Sequence, residues 1–297
     1  MPPGTLLLQT AGACDVDPER LLDVFGQQRR RFVTVLRGFG PDDWAAPTRC
    51  TDWSAHDVIR HLCDTNVRAA ALGPDDRMLD IAAGYDPRIT PREWLTASAG
   101  ESPDATFRRF LATTDERLAR DRARLAAGTS FDVHLRYGPM DWTVRVLHGL
   151  WDSWLHERDV LLPRGMEHPT DGDATAYATA YGLFTAAAVA AVFGDPVRET
   201  LQLSGDGGGL FDLDRRGGVT LSVTRVTVAG PPAAEVADAL AGRSPVAAVL
   251  GDLPASSRGA LSLLADFFNS PVEQSPARDS AAPTRPAARV TGQVSPT

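Results

Sequence analysis

Four stretches of this chain begin on a helix-capping residue, carry apolar side chains at helical spacing, and stop near glycine or proline. Asp17-Pro18-Glu19 is an N-cap with proline at the first helical position. It opens a stripe of Leu21, Leu22, Phe25, Phe32, Val33 and Leu36, which Gly38 and Gly40-Pro41 end. Ser54-Ala55-His56-Asp57 has the form of a capping box with aspartate in the glutamate position. The helix it starts carries Val58, Ile59, His61, Leu62 and Val67. Ser102-Pro103-Asp104 opens a third, through Phe107, Phe110, Leu111, Leu118 and Leu125 to Gly128. Asp141 is expected to cap a fourth, reaching Leu162 before Pro163. Four long helices predict a four-helix bundle, and a bundle core is where facing helices assemble metal sites.

Between Gly73 and Gly100 the chain is rich in proline and aspartate, with one short helical piece from Pro91 to Ala97. A further helix, about Asp173 to Phe193, joins or follows the bundle. It is alanine-rich and interrupted by Tyr177, Thr179, Tyr181 and Thr185, so a buried helix explains it better than a membrane span. The pattern then changes. Thr200 to Ser204 and Val219 to Val228 read as strands by alternation and β-branched content, with turn clusters at Gly205 to Gly209 and Arg216-Gly217-Gly218. Pro231 to Leu240 and Gly259 to Phe268 read as helices. The expected fold is therefore mainly α, and α+β overall. A bundle spans 15–194 and a small α+β domain 196–269. The segment 270–297 is a tail with too little apolar surface to offset its ordering entropy.

The net charge of −8 argues against nucleic acid or an anionic membrane as partner, since both need a basic surface. Cys14, Cys50 and Cys63 make no metal or redox spacing, and the apolar run at Leu6-Leu7-Leu8 is too short for export. A reducing cytoplasm is expected. Lysine is absent and every basic side chain is arginine, a bias that suggests a GC-rich genome such as an actinobacterial one.

Chemistry concentrates on two of the helices. Asp152 and His156 are four residues apart in Trp151-Asp152-Ser153-Trp154-Leu155-His156, so they share one helix face. His61 lies on the apolar side of another helix. Three protein ligands would leave one position of a zinc site open, the catalytic arrangement. The alternative is a core histidine beside a solvated pair worth about 0.2–0.5 kcal/mol. Trp151, Trp154, Leu155 and Val160 disfavour that, because a buried aspartate needs a strong partner. Asp159, one turn further, could orient a ligand or pair with Arg158 or Arg164. His148 is a reserve ligand. His56 is expected to be exposed, His134 to lie in a strand or loop, and His168 in a loop. Cys63 points away from His61. No serine-nucleophile elbow, P-loop or dinucleotide fingerprint is present.

The order Asp52-Trp53-Ser54…His61-Leu62, then Asp152-x-x-x-His156-x-x-Asp159, then a small α+β end, resembles the mycothiol-dependent maleylpyruvate isomerase family, one of the DinB-like metal-dependent four-helix bundles. The resemblance covers Pro18 to Asn269. It implies a divalent metal, zinc above all, held by His61, Asp152 and His156, with Asp152 in place of the family's glutamate. It implies a sterol-carrier-like small domain, whose Leu240-Ala241-Gly242-Arg243 matches a leucine-x-glycine-arginine segment. Arg243 is thereby expected to help bind a substrate carboxylate.

The function these readings predict is a metal-dependent enzyme that uses mycothiol on a small electrophilic or unsaturated substrate, by S-transfer or cis–trans isomerisation. Mycothiol and that substrate would be its partners. Aromatic catabolism and natural-product biosynthesis are its expected settings. A metal site can also activate water, giving a hydrolase, and a bundle without metal could serve as an apolar-ligand carrier.

Overall fold

The computed structural model describes residues 5–10, 14–74, 76–77, 79, 84–135, 138–169, 171–215 and 219–269. The expected tail, and the turn at Arg216-Gly217-Gly218, lie outside the described residues. In chain order the elements are β1 (Thr5–Gln9), β2 (Cys14–Asp15), α1 (Pro18–Leu36), α2 (Pro41–Ala45), α3 (Ala55–Ala70), α4 (Thr90–Thr96) and α5 (Pro103–Ala126). There follow β3 (Asp132–Leu135), β4 (Gly138–Asp141), α6 (Thr143–Leu161), α7 (Gly172–Phe193), β5 (Glu199–Leu203), β6 (Gly209–Asp214) and β7 (Thr220–Thr224). The chain closes with α8 (Ala233–Leu240), α9 (Val246–Val249) and α10 (Ala255–Asn269).

The capping chemistry sets the helix starts. Asp17 Oδ1 accepts the N–H of Glu19 at 3.0 Å. Ser54 and Asp57 form the reciprocal box: Ser54 N–H donates to Asp57 at 2.9 Å, and Asp57 N–H to Ser54 Oγ at 3.2 Å. Asp141 is used differently from expectation. It ends β4, and its carboxylate takes the N–H of Thr143 at 2.9 Å, while Trp142 occupies the cap position of α6. The cause is the β3–β4 hairpin, which hands the chain directly to the helix.

Helices α1, α3, α5 and α6 form the four-helix bundle. One core joins Phe32, Leu36, Val58, Ile59, Phe110 and Val160. A larger one runs from Trp142, Leu150 and Trp154 of the bundle through Phe184 of α7 to Phe211 and Leu221 of the sheet. Helix α7 packs on α6 on one side and on α8 and α10 on the other, so bundle and small domain share one continuous interior. Among the described helices, α7 is the one long and apolar enough to cross a membrane, and most of it is buried inside the protein.

Among the described residues the main sheet has five strands in the order β2-β1-β7-β6-β5, antiparallel throughout. One rung aligns Leu6, Val223, Phe211 and Leu201, all on the buried face. Three strands of this sheet, β1, β2 and β6, lie where sequence reasoning placed none. β6 begins at the glycine cluster read as a turn, and its Phe211 and Leu213 alternate inward. β1 comes from the N-terminus and pairs with β7 across more than two hundred residues, which no local pattern announces.

Candidate metal centre and its cavity

Helices α3 and α6 pack side by side and bring the three expected ligands together. His61 Nε2 lies 3.7 Å from Asp152 Oδ1, and His156 Nε2 lies 3.4 Å from the same oxygen. The three ligand atoms fall within 4.8 Å of one another. Ligands about 2.0–2.1 Å from a tetrahedral zinc sit roughly 3.3 Å apart, so the spacing and the donor set both fit such an ion. His61 Nδ1 is buried without a partner. The two imidazoles meet edge to face, with centroids 5.0 Å apart.

Electrostatics favour the carboxylate form of Asp152. Burial alone would raise its pKa, but the attraction and hydrogen bonding of His156 and His61 hold it well below the usual carboxylate range. Burial pulls His156 down; electrostatic attraction to Cys50 and Asp152, with hydrogen bonds to Asp152 and Asp159, outweighs it and holds the imidazole well above its usual value.

Behind His156 lies a second group of partners. His156 Nδ1 is 3.1 Å from Asp159 Oδ2. This is the carboxylate–histidine arrangement that fixes the tautomer and turns Nε2 toward a metal. Asp159 does not pair with Arg158 or Arg164. It accepts from Arg243 Nε and Nη2 at 3.0 and 2.6 Å, and from Arg49 Nε at 2.9 Å. Burial would raise the Asp159 carboxyl; Arg243 and His156 drive it far below its ordinary value. Arg49 also grips Asp238 of α8 with two 2.9 Å bonds, and Arg158 takes the same carboxylate at 2.7 Å. Arg164 pairs instead with Asp43. The small domain is thus tied to the bundle by ion pairs directly behind the ligand cluster.

The loop before α3 supplies two residues that spacing did not single out. Asp52 has a left-handed backbone, φ 65°, a conformation aspartate tolerates better than most residues. The turn is closed by Trp53 N–H donating to Cys50 C=O at 3.1 Å. Trp53 then stacks near His156, with centroids 6.3 Å apart, and tilts against His61 at 5.2 Å. Cys50 Sγ lies 3.5 Å from His156 Nδ1 and donates to Asp159 Oδ2 at 3.1 Å. Cys50, His156 and Asp159 form a second ligand-type cluster, but both arginines already occupy its carboxylate.

The other histidines take structural partners. His148 is buried, meets Tyr181 Oη at 3.0 Å, and is pushed down to about 3 by burial and Arg145. His56 is half-buried rather than exposed, because α5 covers it and Thr106 Oγ1 lies 2.8 Å from its Nε2. His134 sits in β3, and His168 lies 3.3 Å from Glu157. Cys63 is buried, and burial raises its thiol to about 12.

The cluster opens on a cavity of about 440 Å³. Trp53, Trp151, Leu155 and Phe268 give it apolar walls, and Arg243 borders it from the small domain. Arg117 and Arg145, together with Tyr181, line another part of it.

Comparison with known proteins places these features. Residues 25–161 match a family described as the mycothiol maleylpyruvate isomerase N-terminal domain. That span contains α3, α5, α6 and all three candidate ligands. No curated protein matches. Among solved structures, a histidine-to-alanine mutant of mycothiol-dependent maleylpyruvate isomerase is similar, at 12% identity over 77% of this chain and 91% of that one, with a TM-score of 0.49. Over residues 25–161 this chain is similar to the mycothiol maleylpyruvate isomerase N-terminal domain family.

Proposed function

We propose that the protein is a metal-dependent, mycothiol-using enzyme that acts in the cytoplasm on a small electrophilic or unsaturated substrate, by S-transfer or cis–trans isomerisation. The observation that carries this reading is the convergence of His61 Nε2, His156 Nε2 and Asp152 Oδ1 at the wall of a ligand-sized cavity, within the segment that matches the family. These three residues would hold a divalent cation, with zinc favoured by the two imidazoles and one carboxylate. Bound together, cation and thiol supply a thiolate at neutral pH, where a free thiol is only a few per cent ionised.

The chain's own residues do the rest. Asp159 accepts the Nδ1 proton of His156 and so presents the Nε2 lone pair to the cluster. Arg49 and Arg243 keep Asp159 ionised and fixed. Trp53 covers both imidazoles and excludes water from that side. Arg243 remains a candidate for a substrate carboxylate, in competition with Asp159, which now takes its Nε and Nη2.

The test is metal content together with turnover of an unsaturated acid, measured with and without mycothiol. Activity should need both. Metal-dependent turnover indifferent to thiol would point to a water-activating hydrolase. Absence of turnover and of thiol binding would favour an apolar-ligand carrier.

A further inference from the structure

Arg145 lies on α6, seven residues and two turns before Asp152. Its side chain lines the same cavity yet is only 4% exposed. Its Nε is buried without a partner. Among the described residues its guanidinium makes no ion pair and donates no hydrogen bond; the contact it does have, with Arg117 Nη2 at 3.3 Å, is to its backbone carbonyl. Three guanidinium groups behind the ligand cluster are engaged. Arg243 and Arg49 hold Asp159, and Arg158 holds Asp238. A buried guanidinium with no carboxylate in contact is expensive.

A second buried arginine stands beside it. Arg117 of α5 is 2% exposed, and its Nε is 3.7 Å from Asp121, beyond hydrogen-bond reach. It reaches the cavity because residue 149 is glycine: a Cβ there would overlap the guanidinium. Burial lowers the pKa of both arginines, Arg117 to about 10, so that Arg117 stays charged near neutrality. The carboxylates of Asp76 and Asp152 act on Arg145 as well, but Asp152 belongs to the ligand cluster.

We propose that Arg145, supported by Arg117, is a buried carboxylate subsite at the pole of the cavity opposite the ligand cluster. A guanidinium offers a planar pair of donors that matches a carboxylate. Residues seven apart on a helix are separated by about 10 Å along its axis. The substrate is therefore an acid whose carboxylate is several bonds from the carbon that faces His61, Asp152 and His156. Aromatic and aliphatic walls from Tyr85, Leu135, Trp151 and Tyr181 suit an unbranched carbon skeleton between the two poles. This inference rests on the enzymatic reading of the same cavity.

The test uses calorimetry on the metal-loaded full chain with 5-hexenoate, whose unsaturated carbons lie several bonds from the carboxylate, and its neutral primary amide. The acid should bind at least about tenfold more tightly than the amide, and Arg145→Met should remove that preference while leaving amide binding unchanged. Metal content and mycothiol binding of the variant should match the parent. Its melting temperature should stay level or rise, since an unpaired buried charge is removed. Equal binding of acid and amide, no binding of either, an unaltered preference in Arg145→Met, or a drop of several degrees in melting would each overturn the assignment. Inorganic phosphate that displaces the acid at comparable concentration would also overturn it, in favour of a general oxyanion site. If the parent binds no metal or no thiol, the proposed function fails, yet the acid–amide comparison still reads Arg145 by itself.

Discussion

Asp159 Oδ2 stands 3.1 Å from His156 Nδ1 and 2.6 Å from Arg243 Nη2, so one carboxylate oxygen orients a candidate metal ligand and anchors the small domain. Asp159→Asn removes the charge but keeps the shape. It should weaken metal binding by about 10–100-fold, the usual effect of losing such a partner. It also leaves Arg49 and Arg243 without their shared anion, and should lower stability by about 3 kcal/mol. Competition with a chelator and urea unfolding of the same variant check both. Unchanged metal affinity would remove Asp159 from the site.

Asp152 stands where the family resemblance implies a glutamate, one methylene longer. Asp152→Glu should keep or improve metal affinity. Asp152→Asn should weaken it, because a neutral amide is a poor zinc ligand. Equal metal content in parent and Asp152→Asn would mark Asp152 as a structural residue.

Gly149 gives Arg117 its place. Gly149→Ala puts a methyl into the guanidinium and should destabilise the bundle by about 1–3 kcal/mol, the range for overpacking. Urea denaturation reads the change. A neutral result would mean that Arg117 moves freely and does not depend on this contact.

Asp238 links the domains and makes part of the stability depend on pH. Burial raises its carboxyl, but Arg49 and Arg158 outweigh burial and hold it below its ordinary value. A group depressed on folding contributes stability above its unfolded pKa, about 3.9 for aspartate. That contribution is lost as pH falls through the folded value. The stability gap between the parent and Asp238→Asn should therefore be largest near neutrality and shrink below about pH 4. A gap independent of pH would contradict the pairing.

Much of this architecture was legible because its signals are local. Asp17-Pro18, Ser54 with Asp57, and Ser102-Pro103 each satisfy orphan N–H groups within three residues, so sequence alone marks those helix starts. The i,i+4 spacing of Asp152 and His156 is equally local, and the structure brings His61 to the pair. The rest depends on tertiary packing. β1 has meaning only against β7. β6 was hidden because Gly209 reads as a turn residue, although Leu210 to Asp214 alternate in burial. Nothing near Arg49 or Arg243 in sequence announces that both meet at Asp159. Cys50 carries no spacing motif, and Arg145 reads as an ordinary helix residue until its burial is known.

The central claim is that the cluster of His61, Asp152 and His156 holds a cation that receives mycothiol as a thiolate. Calorimetric titration of mycothiol into metal-loaded protein, in buffers of different ionisation enthalpy, tests it most directly. The account predicts binding with release of close to one proton per chain, since the thiol ionises on coordination, and loss of both binding and proton release in metal-stripped protein and in His61→Ala. Mycothiol binding of equal strength with and without metal, or binding with no proton released, would contradict it.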